Sequence, residues 1–375
     1  MKPIAFDVET TTFEKGNPFA QRNKFVLGGC FDGTNYELFE DPSNYDFSNT
    51  GDIIYVGHNI KFDLNWLARC DVNTKNFNVW DTSIAHFLLT NQTTPFNSLN
   101  NVCDYYKLPN KIDVVKTEYW DKGIDTDAIP KDVLTEYLKK DLELTYKVFK
   151  LQLRDLKEKP NLYKLLRMQC KDLIVLHQME VNGLVLNTSE ALRKANELEV
   201  EIENTDNKIK VLYKMAVDSN APVEWLNFGS PMDVGFLLYG GNRKHELRLP
   251  VGIYKTGLKK GQPRSRIEEQ TYYFKTCVDT LHNAFNTDDN TLANLNAKGN
   301  IRKIITFIQE RRKLAKLKQT YFEGIPKLIE KKDWKPNTIH GNFNQTRVVT
   351  GRLSSSTPNL QNFSPEFNEM LITRF

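Results

Sequence analysis

Apolar positions in the first 155 residues switch between a period of two and a period of three to four, as strands alternating with helices do. Residues 3–8, 26–31 and 36–39 read as strands, with Asp32-Gly33-Thr34-Asn35 as the hairpin turn between the last two. Residues 53–57 read as a short buried strand, followed by a helix over about 63–69. A strand near 77–80 leads into a helix through 84–89, with Asp81 or Thr82 as its N-cap. Pro130 stands at a helix start, and the chain from there to about 156 is strongly helical. The pattern predicts a mixed α/β domain over residues 1–155.

From about residue 161 the pattern becomes one of long helices. Residues 165–180 place apolar side chains at Leu166, Leu173, Val175, Leu176 and Met179, and Asn182-Gly183 supplies a helix stop. Residues 189–216 form a second long, charged helical stretch. Gly240-Gly241 opens a polar, basic segment to about Arg266 that reads as a loop or hairpin. Helical periodicity returns over 301–328, and the last forty residues mix short strands and turns.

Composition adds two constraints. The five cysteines are scattered, odd in number and without a C-x-x-C pair, which argues against a disulfide framework or zinc site and favours a reducing compartment. No apolar run reaches the roughly 20 residues of a membrane span, and Met1-Lys2-Pro3-Ile4-Ala5-Phe6-Asp7 enters a strand-like run at once, which leaves no room for a leader peptide in the expected reading. The expected location is cytoplasmic. The net charge of +4 hides a polarity: residues 1–150 hold 16 Lys+Arg against 22 Asp+Glu, and residues 242–335 hold 21 against 10. An acidic module beside a basic one points to metal chemistry in the first and a polyanion in the second.

Three packets carry the candidate chemistry. Asp7 and Glu9 are two apart on a predicted strand and share a face. Asn59 and Asp63 follow the second buried strand, and Tyr137 and Asp141 are four apart on a helix. Taken singly, each has a plainer reading: a solvated strand face, an N-cap, an incidental helix pair. Taken together they offer hard oxygen donors for Mg²⁺ or Mn²⁺. Phosphodiester hydrolysis uses two such ions about 3.5–4 Å apart, and a phenol beside the carboxylates can orient the attacking water.

At this point the chain resembles the DEDD superfamily of 3′→5′ exonucleases, in the subgroup with a tyrosine before the last aspartate. The matching stretches are Phe6-Asp-Val-Glu-Thr10, Gly57-His-Asn-Ile-Lys-Phe-Asp-Leu64, Val79-Trp-Asp-Thr-Ser-Ile-Ala-His-Phe-Leu-Leu89 and Tyr137-Leu-Lys-Lys-Asp141. The resemblance implies an RNase H-like domain and two divalent metal ions. Asp7 would bridge both ions, Glu9 and Asp141 would complete one site, and Asp63 would hold the second ion. Tyr137 would position the water and Asn59 would contact a frayed strand. His58 reads as a supporting or structural residue, and His86 as a helix-surface or core histidine.

The remainder resembles the family A, polymerase I-like DNA polymerases. Thr350-Gly-Arg-Leu-Ser-Ser355 and Pro358-Asn-Leu-Gln-Asn362 are similar to the segment entering the palm. Arg312-Lys-Leu with Thr320-Tyr321, Asn227-Phe-Gly-Ser-Pro231 and Gln178-Met-Glu-Val-Asn-Gly-Leu-Val-Leu186 are similar to the thumb and its approach. By that likeness Arg352, Asn359 and Gln361 would touch a primer–template near the primer end. His340, Arg312, Lys313 and Lys316 would hold the duplex backbone. The expected divisions are an exonuclease domain over 1–155, a mainly helical connector and thumb over 156–335 with a basic insertion near 241–266, and the beginning of a palm over 336–375.

The family's Asp-x-Ser-x-x-Glu strand, fingers lysine and His-Asp-Glu turn are missing from this sequence. The resemblance therefore implies a proofreading exonuclease and DNA-binding part of a split, phage-type polymerase. A separate palm and fingers chain would complete it, acting in the host cytoplasm, and a processivity protein is a further candidate partner. A freestanding 3′→5′ exonuclease and a non-catalytic DNA-clamping subunit are the alternatives.

Overall fold

The computed structural model describes residues 1–47, 51–94, 97–110, 114–217, 223–278 and 286–372. They form two compact units, one of residues 1–188 with 325–375 and one of residues 189–324. Chain order is thus not respected: the last fifty residues belong with the first unit.

The first unit is built on a five-stranded sheet of order β3-β2-β1-β4-β5, made of β1 Lys2–Thr10, β2 Phe25–Phe31, β3 Tyr36–Phe39, β4 Ile53–Gly57 and β5 Val79–Asp81. β1 runs antiparallel to β2 and parallel to β4, so the sheet is mixed, within the α/β domain that the sequence pattern predicts. The hairpin turn at 32–35 closes β2 onto β3, with Phe31 opposite Tyr36. β1 extends past its predicted end because Thr10 still pairs with Phe25 across a bulge.

Alternation along β1 separates two cores. Ile4, Phe6 and Val8 enter a large apolar cluster with Val56, Ile60, Leu64, Trp66 and Trp80. Ala5 faces the other way, against Leu134, Leu138 and Leu142 of a long helix. That helix is α5, Lys131–Leu156; before it come α1 Lys61–Arg69, α2 Thr82–Leu89, α3 Leu99–Tyr105 and α4 Val114–Glu118. α1 and α2 start two residues earlier than the apolar pattern indicates; α2 is capped by Asp81, whereas α1 opens without a side-chain cap.

α6, Pro160–Asn182, ends at Gly183, whose φ of +60° and close approach to the Ile339 carbonyl leave no room for a Cβ. β6, Leu184–Leu186, then pairs with β9 Thr338–Ile339 and β12 Leu371–Ile372. A small hairpin pairs β10 Asn342–Asn344 with β11 Ser354–Ser356, and α11 Gly324–Lys331 and α12 Pro365–Asn368 complete these returning segments.

The second unit contains α7 Thr188–Ala216, α8 Pro231–Tyr239, a ribbon of β7 Gly241–Ile253 and β8 Pro263–Phe274, α9 Asp289–Asn294 and α10 Gly299–Lys316. Its core joins Ile209, Tyr213, Phe228, Leu237, Phe274 and Ile305. The periodicity over 301–328 is broken in one place: after α10 the chain passes through a π-turn, Leu317–Phe322, before α11. Among the described residues no helix is long and apolar enough to cross a membrane.

Candidate active site

Three elements converge on one spot of the first unit. β1 turns Asp7 and Glu9 toward α5, and α5 offers Asp141 from the stripe beside its sheet-facing Leu134, Leu138 and Leu142. Asp7, Glu9 and Asp141 each bring a ligand atom to within 4.8 Å of the others. Glu9 and Asp141 are each only 7% exposed, while Asp7 is half-buried.

A glycine allows this approach. Gly29 of β2 stands opposite Asp7 in the strand register. A Cβ there would come within 2.8 Å of Leu142 and 3.1 Å of Leu138. Gly29→Val should therefore cost about 1–3 kcal/mol through overpacking. By pushing α5 off the sheet it should also draw Asp141 away from Asp7 and Glu9 and weaken their joint hold on a hard divalent ion. Urea unfolding checks the first effect, and titration of the same preparation with Mn²⁺ checks the second. Unchanged Mn²⁺ binding with lowered stability would mean that the glycine serves the core alone.

Asp63 arrives from a third direction. β4 stops pairing with β1 after Ala5, so the Val8 N–H beyond that point is left for a side chain. It donates to Asp63 Oδ1 at 3.1 Å. Asp63 is 2% exposed, and burial followed by the charge of Asp7 pushes its carboxyl well above the usual carboxylate range, against the pull of the Val8 N–H. Carboxylates crowded in this way repel one another until a cation joins them. The donor set, all hard oxygens, fits a magnesium-like divalent ion and does not fit a soft one.

Asp81 organises the turn that leads to Asp63. The sequence identifies it only as a possible N-cap of α2, and it does accept from Ser83 N–H at 2.8 Å and Ile84 N–H at 3.1 Å. It also accepts from Asn59 N–H at 3.3 Å and Ile60 N–H at 3.0 Å. Four backbone donors on one buried carboxylate hold Asn59 in a left-handed conformation, φ +61°, at a cleft it shares with Lys61, Ser83 and Phe343. Burial pushes the Asp81 carboxyl up, and His58 opposes this. His58 bonds Thr82 Oγ1 at 2.9 Å and the Asn97 carbonyl at 2.8 Å, so its ring is tied into structure. His86 is a core residue, 2% exposed and edge-on to Tyr105. Tyr137 is half-buried one turn before Asp141, edge-on to Trp120 at 6.0 Å.

The residues expected on nucleic acid fall into two groups. Arg352, Asn359 and Gln361 are exposed on the first unit, where Asn359 Oδ1 accepts from Gln361 N–H at 3.1 Å and Gln361 Nε2 donates to the Leu353 carbonyl at 3.4 Å. His340, in the same unit, is 8% exposed, stacked on Phe19 at 4.0 Å, with Nδ1 donating to the Glu180 carbonyl at 2.8 Å. Its ring is committed to packing. In the second unit Lys313 and Lys316 are exposed and three apart on α10. Arg312 is turned onto Thr287 and Asp289, reaching the latter at 3.2 Å.

Residues 1–157 match the family model described as 3'-5' exonuclease, and residues 196–373 match DNA polymerase family A. The chain is 29% identical to DNA polymerase I of Synechocystis over 319 residues, 83% of this chain and 27% of that protein. It is 24% identical to DNA polymerase I of Bacillus subtilis, over 77% of this chain and 27% of that protein. This sequence therefore spans little more than a quarter of those relatives. The thermostable DNA polymerase I of Thermus caldophilus matches more closely but locally, 51% over 61 residues, 16% of this chain and 7% of that protein. A solved structure, the POL domain of Pol1 from M. smegmatis in complex with DNA primer-template and dNTP, shares the fold with a TM-score of 0.60. Identity there is 15%, over 96% of this chain and 52% of that one. The chain is thus similar to family A DNA polymerases over residues 196–373 and to their 3'-5' exonuclease over residues 1–157.

Proposed function

We propose that residues 1–375 are a metal-dependent 3′→5′ exonuclease of the DEDD type joined to a duplex-binding thumb, serving a family A polymerase as its proofreading part. The observation that carries this reading is the convergence of Asp7, Glu9 and Asp141 beside the buried Asp63. Asp7, Glu9 and Asp141 would hold one divalent ion, Mg²⁺ or Mn²⁺, and Asp7 with Asp63 a second. When bound, such ions supply positive charge to the scissile phosphate and lower the pKa of the attacking water. Tyr137 would orient that water, and Asn59 would hold the frayed strand at the cleft lined by Ser83 and Phe343. Arg352, Asn359 and Gln361 would contact primer–template, and Lys313 and Lys316 would meet duplex phosphates. For Arg312 and His340 we propose a supporting role, since one is turned onto Thr287 and the other onto Phe19.

The functional divisions we propose are an exonuclease over 1–155, a connector and thumb over 156–335, and the beginning of a palm over 336–375. Among the described residues the exonuclease carboxylates are the one group of three or more acidic, His or Cys ligands placed to hold a metal. Nucleotide addition is therefore proposed to need palm and fingers residues outside this sequence; in the split-polymerase reading a second chain in the same cytoplasm provides them. Incubating residues 1–375 with a 3′-labelled oligonucleotide and Mg²⁺ should release mononucleotides, with no primer extension when dNTPs are added. Supplying the palm and fingers separately should start extension. Absence of metal-dependent release would refute the exonuclease reading, and extension by residues 1–375 alone would refute the division of labour.

A further inference from the structure

The segment read from sequence as a loop or hairpin is a long antiparallel ribbon. β7 and β8 pair continuously from Gly241 opposite Phe274 to Ile253 opposite Pro263, with one slip at 250–252. A strand of about 12 residues is on the order of 40 Å long. Only the base is anchored: Phe274 is fully buried in the core of the second unit, His245 stacks on Trp225 at 4.2 Å, and Arg243 pairs with Asp233 at 2.9 Å. Every residue from 248 to 267 is exposed.

Those twenty residues hold Arg248, Lys255, Lys259, Lys260, Arg264 and Arg266 and no aspartate or glutamate. Arg266 alone has an acidic partner among them, Glu268 at the edge of the block. A ribbon shaped only for solubility mixes both signs. Here like charges repel along a two-stranded ribbon that is marginally stable by itself, so the charge block makes sense against an external polyanion. The tip is held in shape: Tyr254 N–H donates to the Gln262 carbonyl at 3.0 Å, and Gly261 N–H to the Tyr254 carbonyl at 2.8 Å. Three lysines are thus presented on a bonded turn.

The shape favours a duplex over an acidic protein. A two-stranded ribbon fits the major groove of B-DNA, about 12 Å wide. Protein interfaces centre on aromatic anchors, and residues 248–267 contain one aromatic, Tyr254. We propose that the distal ribbon is a sequence-independent grip on double-stranded nucleic acid, with Arg248, Lys255, Lys259, Lys260 and Arg264 on phosphates. This reading does not depend on the exonuclease assignment, and its test is a binding measurement in EDTA with cleavage silent.

The test compares the full chain with K255Q/K259Q/K260Q and with a control of equal charge change, K157Q/K159Q/K171Q, on a blunt duplex across a salt series. Each lost phosphate contact should lower the slope of log affinity against log salt by about 0.9. The tip variant should lose about 2–3 in slope and on the order of 10-fold or more in affinity at moderate salt. The control should keep its slope, and a K255R/K259R/K260R variant should keep both. Equal changes in the two glutamine variants, or an unchanged slope in the tip variant, would overturn the proposal. So would retained duplex binding combined with a lost interaction with polyglutamate, the outcome for an acidic protein partner.

Discussion

Asp7→Ala should abolish metal-dependent release of mononucleotides while leaving duplex binding intact. Asp7 is the member of the constellation that both faces Asp141 and raises the Asp63 carboxyl. Removing it takes a ligand from each proposed ion. A single electrostatic contact to a transition state is worth on the order of 10²–10³-fold, and a ligand common to two ions should exceed that. Stability should move the other way. Without metal, Asp7 and Asp63 repel in a poorly solvated setting, so Asp7→Asn should hold or raise the melting temperature as turnover disappears. A parallel fall in both would point to a structural role. Full residual cleavage by a clean Asp7→Ala preparation would show that the site lies elsewhere.

Much of this constellation was legible because its members obey local periods. Asp7 and Glu9 share a strand face and Tyr137 and Asp141 a helix face, and each spacing is visible within five residues. Gly29 was not legible, since its need for a missing Cβ arises only when Leu138 and Leu142 arrive from a helix more than a hundred residues later. Asp81 was half legible: its cap on Ser83 and Ile84 is local, whereas its bonds to Asn59 and Ile60 cross 22 and 21 residues. His340 was assigned to a duplex on motif likeness, and no local pattern could reveal that Phe19 would stack on it. The ribbon lacked an alternating apolar face because most of it has no core to bury against, so period alone left a loop or a hairpin equally open.

The least legible feature carries the second large effect. Lys61→Met should destabilise the first unit by about 3–5 kcal/mol, because it leaves a buried carboxylate without its counter-charge. Lys61 Nζ bonds Glu180 Oε1 at 2.6 Å and Asn342 Oδ1 at 3.2 Å, and it also reaches the Phe343 carbonyl. The two side chains are 12% and 3% exposed. Glu180 further accepts from Asn65 at 2.9 Å and from Phe343 N–H at 2.6 Å. One ion pair thereby ties the first turn of α1, which carries Asp63, to the end of α6 and to β10. Lys61→Met/Glu180→Leu should recover only part of the loss, since an apolar pair removes the stranded charge and leaves the Phe343 N–H and Asn65 without their acceptor. Four of the five tryptophans, Trp66, Trp80, Trp120 and Trp334, lie in the first unit, so urea unfolding followed by tryptophan fluorescence reads mainly that unit. Acid adds an independent signature. His177, bonded to Asn65 and Thr74 at 2.6 Å each, is pushed down to about 4 by burial first and by Lys61 second. A lowered histidine pKa means that the unfolded chain binds the proton first, so stability drains as pH falls from about 6.5 toward 4. Lys61→Met should shrink that acid-dependent loss without removing it, since burial remains. If the loss in the double variant equals the sum of the losses in Lys61→Met and Glu180→Leu alone, the pair contributes no coupling and the tie between α1 and β10 must rest on packing.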